Sequence, residues 1–371
     1  MQTRTMLPRI LFLAVILVQS GCGQFFVPDT GGGGGGTGSN ADIYVANNTT
    51  ANIAGFSIAS SGLTTLSNSP YAIGVSPNAL AITPSNSFVY TSTLAGGIFA
   101  YTVGSGGALT VANSGSAVVS GISPVSLSVD ATGNWLLAVD PTPMAYVFAI
   151  NTSNGTLTSQ GSVPLAAGSP YQVTIAPNNN LVYVSLGTGG VAILTFNAAT
   201  GVLTNTNTIL KPKQSLNANQ GLVVNPASTF LYVAETGVNG VRALSIGTNG
   251  ALTELTGSPY STGTGPSAVF IDSTGSYLYV TNTAANTVSA FLASSSGALT
   301  GISGSPFATG TQPIGIAEDN THTHIAVVCA GGTPDLQVFT IDTTTPGALA
   351  NFKTAATGTD PTNPLAIVAA N

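Results

Sequence analysis

The chain has 371 residues, of which only 5% are charged, against roughly 25% in ordinary soluble proteins. It carries 6 Lys and Arg against 12 Asp and Glu, and beyond residue nine its only basic residues are Lys211, Lys213, Arg242 and Lys353. Neutralising a phosphate backbone takes many clustered cations, so this balance excludes a nucleic-acid partner. The 43% hydrophobic content falls in short alternating runs, which excludes a disordered chain and points to half-buried strands.

At the N-terminus, Arg4 and Arg9 precede the apolar run 10–18, too short for a comfortable membrane span and readable as a secretory signal. Ser20-Gly21-Cys22 at its end resembles a bacterial lipobox. Residues 1–22 are therefore expected to be a signal peptide, with lipidation of Cys22 anchoring the exported protein to the cell envelope, in the periplasm or at the outer membrane. Plain secretion is the alternative. Six glycines at 31–36 suit no packed element, so 23–40 reads as a flexible tether.

From residue 41 to 371 one unit repeats. A short apolar strand begins at Ile43, Val89, Leu136, Val182, Leu231, Leu278 and Ile325, with spacings of 46, 47, 46, 49, 47 and 47 residues. A period of this length means a propeller or a solenoid. Residues 266–312 show the unit: a strand from Pro266, a second from Tyr277, a third from Val288, and a hairpin at Gly297 into a fourth. Four antiparallel strands make a propeller blade. The hairpin glycine recurs at Gly62, Gly107, Gly155, Gly201, Gly250, Gly297 and Gly347, where tight turns ask for positive φ.

First strands begin at Pro77, Pro124, Pro170, Asn219, Pro266, Pro313 and Pro364. The last has no second strand after it, and the strand at Ile43 has no first strand before it. The C-terminal strand is thus expected to complete blade one and close a seven-bladed ring without exposed edges. Two and four residues after each start stand mostly small residues, such as Ala79, Ser126 and Ala317, which suit strands crowded around a central axis. The third positions, Leu80, Leu127, Val173, Leu222, Val269, Ile316 and Ile367, should pack between blades. Cys329, at the end of an apolar strand, reads as a buried small hydrophobe with no intrachain partner.

These strand starts, the Leu-Tyr-Val second strands and the Gly-Ala-Leu-Thr hairpins together resemble the lactonase family of β-propellers, the 6-phosphogluconolactonase type, and its YncE-like relatives, over about 42–371. That resemblance implies a seven-bladed fold and a lactone-hydrolysing activity. Glu235 stands where family members often carry a glutamate, whereas Gly265-Pro266-Ser267-Ala268 lacks the arginine and histidine common in the family.

Loops between second and third strands share a face with the connections between blades, and function usually lives on such loops. That face is expected to hold Asn47, Asn48, Asp140, Glu235, Asn282, Asp335 and Asp360, with Lys211 and Lys213 on the longest connection. Lys211, Lys213, Glu235 and Asp140 are the candidates for binding a polar ligand, and Glu235 the candidate catalytic carboxylate; a merely solvated loop is the plain alternative. Glu318, His322 and His324 are the candidate metal ligands, although His324 falls at an aromatic packing position and His322 at a turn glycine position. Glu318 replaces an aliphatic residue, and a buried carboxylate there needs a partner or a raised pKa. Asp130 and Asp272 precede Thr-Gly and read as turn residues. No nucleophile elbow, Cys-x-x-Cys pair, P-loop or calcium loop occurs, and no cofactor is expected.

The leading functional expectation is a monomeric, lipid-anchored envelope propeller that binds a protein or carbohydrate partner on its loop face. A lactonase-like hydrolase acting on a sugar lactone is the alternative, and a metal enzyme using Glu318, His322 and His324 the third possibility.

Overall fold

The computed structural model describes residues 41–165, 168–213, 219–357 and 364–370. The expected signal peptide, Cys22, the tether and Asp360 lie outside them.

The four main strands of each antiparallel sheet follow chain order in six of the seven sheets, blade one taking its first strand from the C-terminus, and the seven sheets build a seven-bladed β-propeller. Blade five is typical, with strands Asn219–Val224, Phe230–Glu235, Gly240–Ile246 and Leu252–Glu254. The first strands neighbour one another in ring order around the axis. Closure occurs as the repeat count requires: Pro364–Ala369 pairs with Ala41–Asn47, setting Val45 opposite Ile367. Blade one is therefore shared by two distant parts of the chain. Among the described residues there is no α-helix, only three short 3-10 turns, and no helix is long and apolar enough to cross a membrane.

The outer edge is finished in two ways. In blades three, four and seven the fourth strand is long, as in Val202–Leu210, and a register shift carries it along the whole third strand. In blades one, two, five and six the fourth strand is short, and a two-residue strand such as Tyr260–Ser261 pairs with the remainder. Both arrangements satisfy the third strand's backbone groups along its outer edge.

The core is divided into seven apolar clusters, each filling the wedge between two neighbouring blades. Leu222 and Val224 of blade five pack with Leu181 and Tyr183 of blade four, while Val223 packs with Val269 and Ile271 of blade six. A fully buried side chain of this size contributes roughly 1.5–3 kcal/mol. The small residues at second and fourth positions do not face the axis, as their size suggests; they too lie between blades. Ala79 and Ala81 meet Leu127 and Val129, Ser126 Oγ accepts the Val173 N–H at 3.2 Å, and Gln172 Oε1 accepts the Leu222 N–H at 2.9 Å. Both faces of a blade are covered by its neighbours, so small residues are selected by the narrow inner end of each wedge.

The hairpin glycines answer a second demand besides φ. Gly297 has φ 79°, and a Cβ there would overlap the ring of Phe230 in the preceding blade. One residue pair further, the Tyr232 hydroxyl donates to the Gly297 carbonyl at 3.1 Å. Tyr44, Tyr90 and Tyr279 repeat this bond to Gly107, Gly155 and Gly347 at 2.7, 3.0 and 3.0 Å. A buried tyrosine hydroxyl thus fastens blade to blade.

Candidate functional site

Charge is so sparse that its placement is informative. Of the four basic residues beyond residue nine, three meet in one group on the connecting-loop face of blade five. Lys211 and Lys213 arrive on the connection from blade four. The Lys213 backbone N–H donates to Glu235 Oε1, and its ammonium lies 2.7 Å from Glu254 Oε2. The Arg242 guanidinium ties the rest together. Its Nη2 donates to Glu254 Oε2 at 3.1 Å, its Nη1 to the Lys211 carbonyl at 2.9 Å, and its Nε faces Glu235 Oε2 at 3.6 Å.

The local fold sets this geometry. Glu235 ends the second strand and Arg242 follows in the third, with Val233 opposite Arg242. Glu254 ends the short fourth strand, opposite Leu244. Glu235 is 0% exposed and Arg242 4%, so each buried charge relies on the other. Glu254 is more open. Burial pushes its carboxyl upward, but hydrogen bonds from Lys213, Arg242 and Ser258 and the Arg242 charge outweigh that and hold it below the usual carboxylate range. The Glu254–Lys213 pair reaches solvent, with the Lys213 side chain 38% exposed, and Lys211 is exposed as well.

Of the sequence candidates, Lys211, Lys213 and Glu235 are brought together, while Asp140 is not. Its carboxylate is buried in blade three, accepting from the Thr142 N–H, the Thr142 hydroxyl and the Tyr146 hydroxyl at 3.0, 2.6 and 2.9 Å. Asn47, Asp335 and Thr357 form another buried knot, in which Thr357 donates to both others and joins blade seven to blade one. Arg242 and Glu254 escaped the loop-by-loop reading. Aligned third strands would have found Arg242, since no other third strand carries a charged residue.

The metal candidates sit on the opposite face and separate into two pairs. Glu318 Oε2 meets His322 Nδ1 at 3.2 Å and accepts the Ser273 N–H of blade six at 3.0 Å. His324 Nδ1 meets Asp319 Oδ2 at 2.9 Å, its ring centroid 4.8 Å from that of Phe352. Burial pushes the Glu318 carboxyl up, against the pull of the Ser273 N–H and of His322. His322 adopts φ 56° at the turn position where Gly275 has φ 73°. Asp130, Asp272 and Asp319 each accept the backbone N–H groups four and five residues on, across the same first hairpin. No group of three or more His, Cys, Asp or Glu among the described residues is placed to hold a metal ion.

The family model of the lactonase seven-bladed β-propeller matches residues 187–343. The chain is a seven-bladed β-propeller, similar over that stretch to the lactonase family. The matched stretch contains the whole blade-five charge group. No curated protein matches the chain. Among solved structures, the propeller is similar to a candidate 6-phosphogluconolactonase of Bacteroides fragilis, at 19% identity over 91% of this chain and 100% of the other, with a TM-score of 0.73. A second such protein, from Bacteroides uniformis, is 15% identical over 89% and 99%, also at 0.73. The periplasmic gluconolactonase of Pseudomonas aeruginosa is 16% identical over 90% and 99%, again at 0.73. At these identities the likeness is one of fold.

Proposed function

We propose that this propeller is a lactone hydrolase acting on a sugar lactone, with its site at the blade-five charge group. The observation that carries the reading is that the lactonase match spans 187–343 and so includes Lys211, Lys213, Glu235, Arg242 and Glu254. In lactone hydrolysis, water adds to the carbonyl carbon, the ring C–O bond breaks, and the ring oxygen takes up a proton to leave a hydroxy acid. The solvent-reaching Lys213 ammonium stabilises negative charge as it develops on the carbonyl oxygen, and the Glu254 carboxylate beside it receives the proton of the attacking water. Glu235 is wholly buried and acts as a positioning residue, holding the Lys213 backbone, with Arg242 balancing its charge.

The burial of Glu235 favours a second reading, a non-catalytic propeller that binds a protein or carbohydrate partner on the same face. Turnover of a sugar-lactone panel separates the two. Hydrolysis by the wild type that falls at least about a hundredfold in Lys213→Met and Glu254→Gln, with unchanged folding, supports the enzyme; wild type and Glu235→Gln equally inert across the panel leave the binding reading. We further propose that the protein is exported and lipid-anchored through Cys22. Its fit to a signal followed by a glycine tether supports this, and membrane fractionation of Cys22→Ser against wild type tests it.

A further inference from the structure

The charge balance of the molecule bears on what kind of lactone it takes. Resting on the hydrolase reading above, we propose that the substrate is an uncharged sugar lactone, without a phosphate or carboxylate substituent. Recognition of a phosphorylated sugar needs free cations, a bidentate arginine or a helix N-terminus. Here the arginine is engaged, a helix N-terminus is absent from the described residues, and one cation of the group is left over. The one guanidinium beyond residue nine, Arg242, is 4% exposed and lies between Glu235 and Glu254, with a further N–H on the Lys211 carbonyl. The Lys213 ammonium is paired with Glu254. Lys353 sits far around the ring, on the outer strand of blade seven, leaving Lys211 as the one cation of the group whose charge is not set against a glutamate.

The remaining surface points the same way. Apart from Glu318 at the far end of blade seven, the described first strands carry no charged residue. No α-helix occurs among the described residues to offer its N-terminus. The net charge of −6 opposes the approach of a dianion. Beyond the blade-five group and the buried Asp140 and Asp335, the polar groups of the described loop face are amides, hydroxyls and backbone, which suit the hydroxyls of a neutral sugar.

The test is to compare hydrolysis of glucono-lactone and of its 6-phosphate by the purified protein, alongside thermal-shift titrations with glucose and glucose 6-phosphate at low and high salt. The expected result is a kcat/KM at least tenfold higher for the neutral lactone, and a KM that changes less than twofold between low salt and 0.5 M salt, since no substrate ion pair is screened. Equal or faster turnover of the phosphorylated lactone overturns the proposal while leaving the hydrolase reading intact. If neither lactone is hydrolysed, the hydrolase reading fails, and the titrations still decide this one: stabilisation by glucose alone supports an uncharged ligand. A salt-sensitive shift with glucose 6-phosphate, or no shift with either sugar, overturns it.

Discussion

Replacing Arg242 by methionine removes the centre of the blade-five group while keeping much of the side-chain volume. Three contacts vanish together: Nε against Glu235, Nη2 to Glu254 and Nη1 to the Lys211 carbonyl. What remains is a glutamate with 0% exposure facing an apolar thioether. Breaking a buried pair by removing one partner costs about 3–5 kcal/mol, because the other charge is left uncompensated. With a urea m-value of about 3 kcal/mol/M, that range moves the unfolding midpoint down by about 1–1.7 M at constant m. The second arm is the double variant Arg242→Met with Glu235→Gln, in which no buried charge is stranded. Its loss should be clearly smaller than the sum of the two single losses, by about 1–3 kcal/mol. A single-variant shift below about 0.3 M, or strict additivity in the cycle, refutes the claim that Glu235 and Arg242 depend on one another.

Comparing Gly115, in the 3-10 turn Asn113–Gly115, with a hairpin glycine allows a clean separation of backbone strain from blade contact. Gly115 and Gly297 share φ 79°, but a Cβ at Gly115 meets nothing within 4 Å whereas one at Gly297 overlaps Phe230; Gly115→Ala should cost about 1–2 kcal/mol and Gly297→Ala distinctly more, with part of the excess recovered in Gly297→Ala combined with Phe230→Leu. Equal losses in urea titrations sink the contact. Glu318→Val restores the aliphatic residue found at Val129 and Val224. The native carboxyl is raised by burial, so it binds its proton more tightly folded than unfolded, and its favourable share is present below the ordinary carboxylate range and lost as pH rises through the raised value. The stability advantage of Glu318→Val should therefore grow from pH 4 towards neutrality; an advantage independent of pH contradicts the assignment. The Cys329 thiol is 0% exposed and pushed up to about 12 by burial, so a thiol reagent at pH 8 should label it only after denaturation. Rapid labelling of the native protein refutes that placement.

The architecture was legible because a 46–49-residue period leaves few alternatives, and because the unmatched strands at Ile43 and Pro364 complement each other. Strand alternation tells two faces apart but not what covers each. Ala79 and Ser126 therefore read as axis-facing residues when they in fact fill the narrow end of a wedge. Two-residue strands such as Tyr260–Ser261 carry too little pattern to be seen. At the candidate site, the long connection and its lysines were conspicuous, while Arg242 hid inside a strand, where a buried cation becomes intelligible only once Glu235 and Glu254 are found beside it. His324 shows the reverse: its aromatic-like place in the repeat already pointed to packing, and its ring does lie against Phe352.

Sharing blade one between Ala41–Asn47 and Pro364–Ala369 has a consequence for the order of assembly. Blades two to seven are built from consecutive hairpins, whose short loops close quickly. The wedge between blades seven and one contains Ile43, Val45 and Ile367, and the wedge between blades one and two contains Tyr44, Ala366 and Val368. Neither wedge can form until the last strand arrives, so two of the seven core segments wait on one pairing between residues more than three hundred positions apart. The ring behaves as a chain with a clasp. Six links are made as the polypeptide emerges, the clasp is the late and slow event, and a chain caught before it closes exposes the apolar flanks of its first and last blades together.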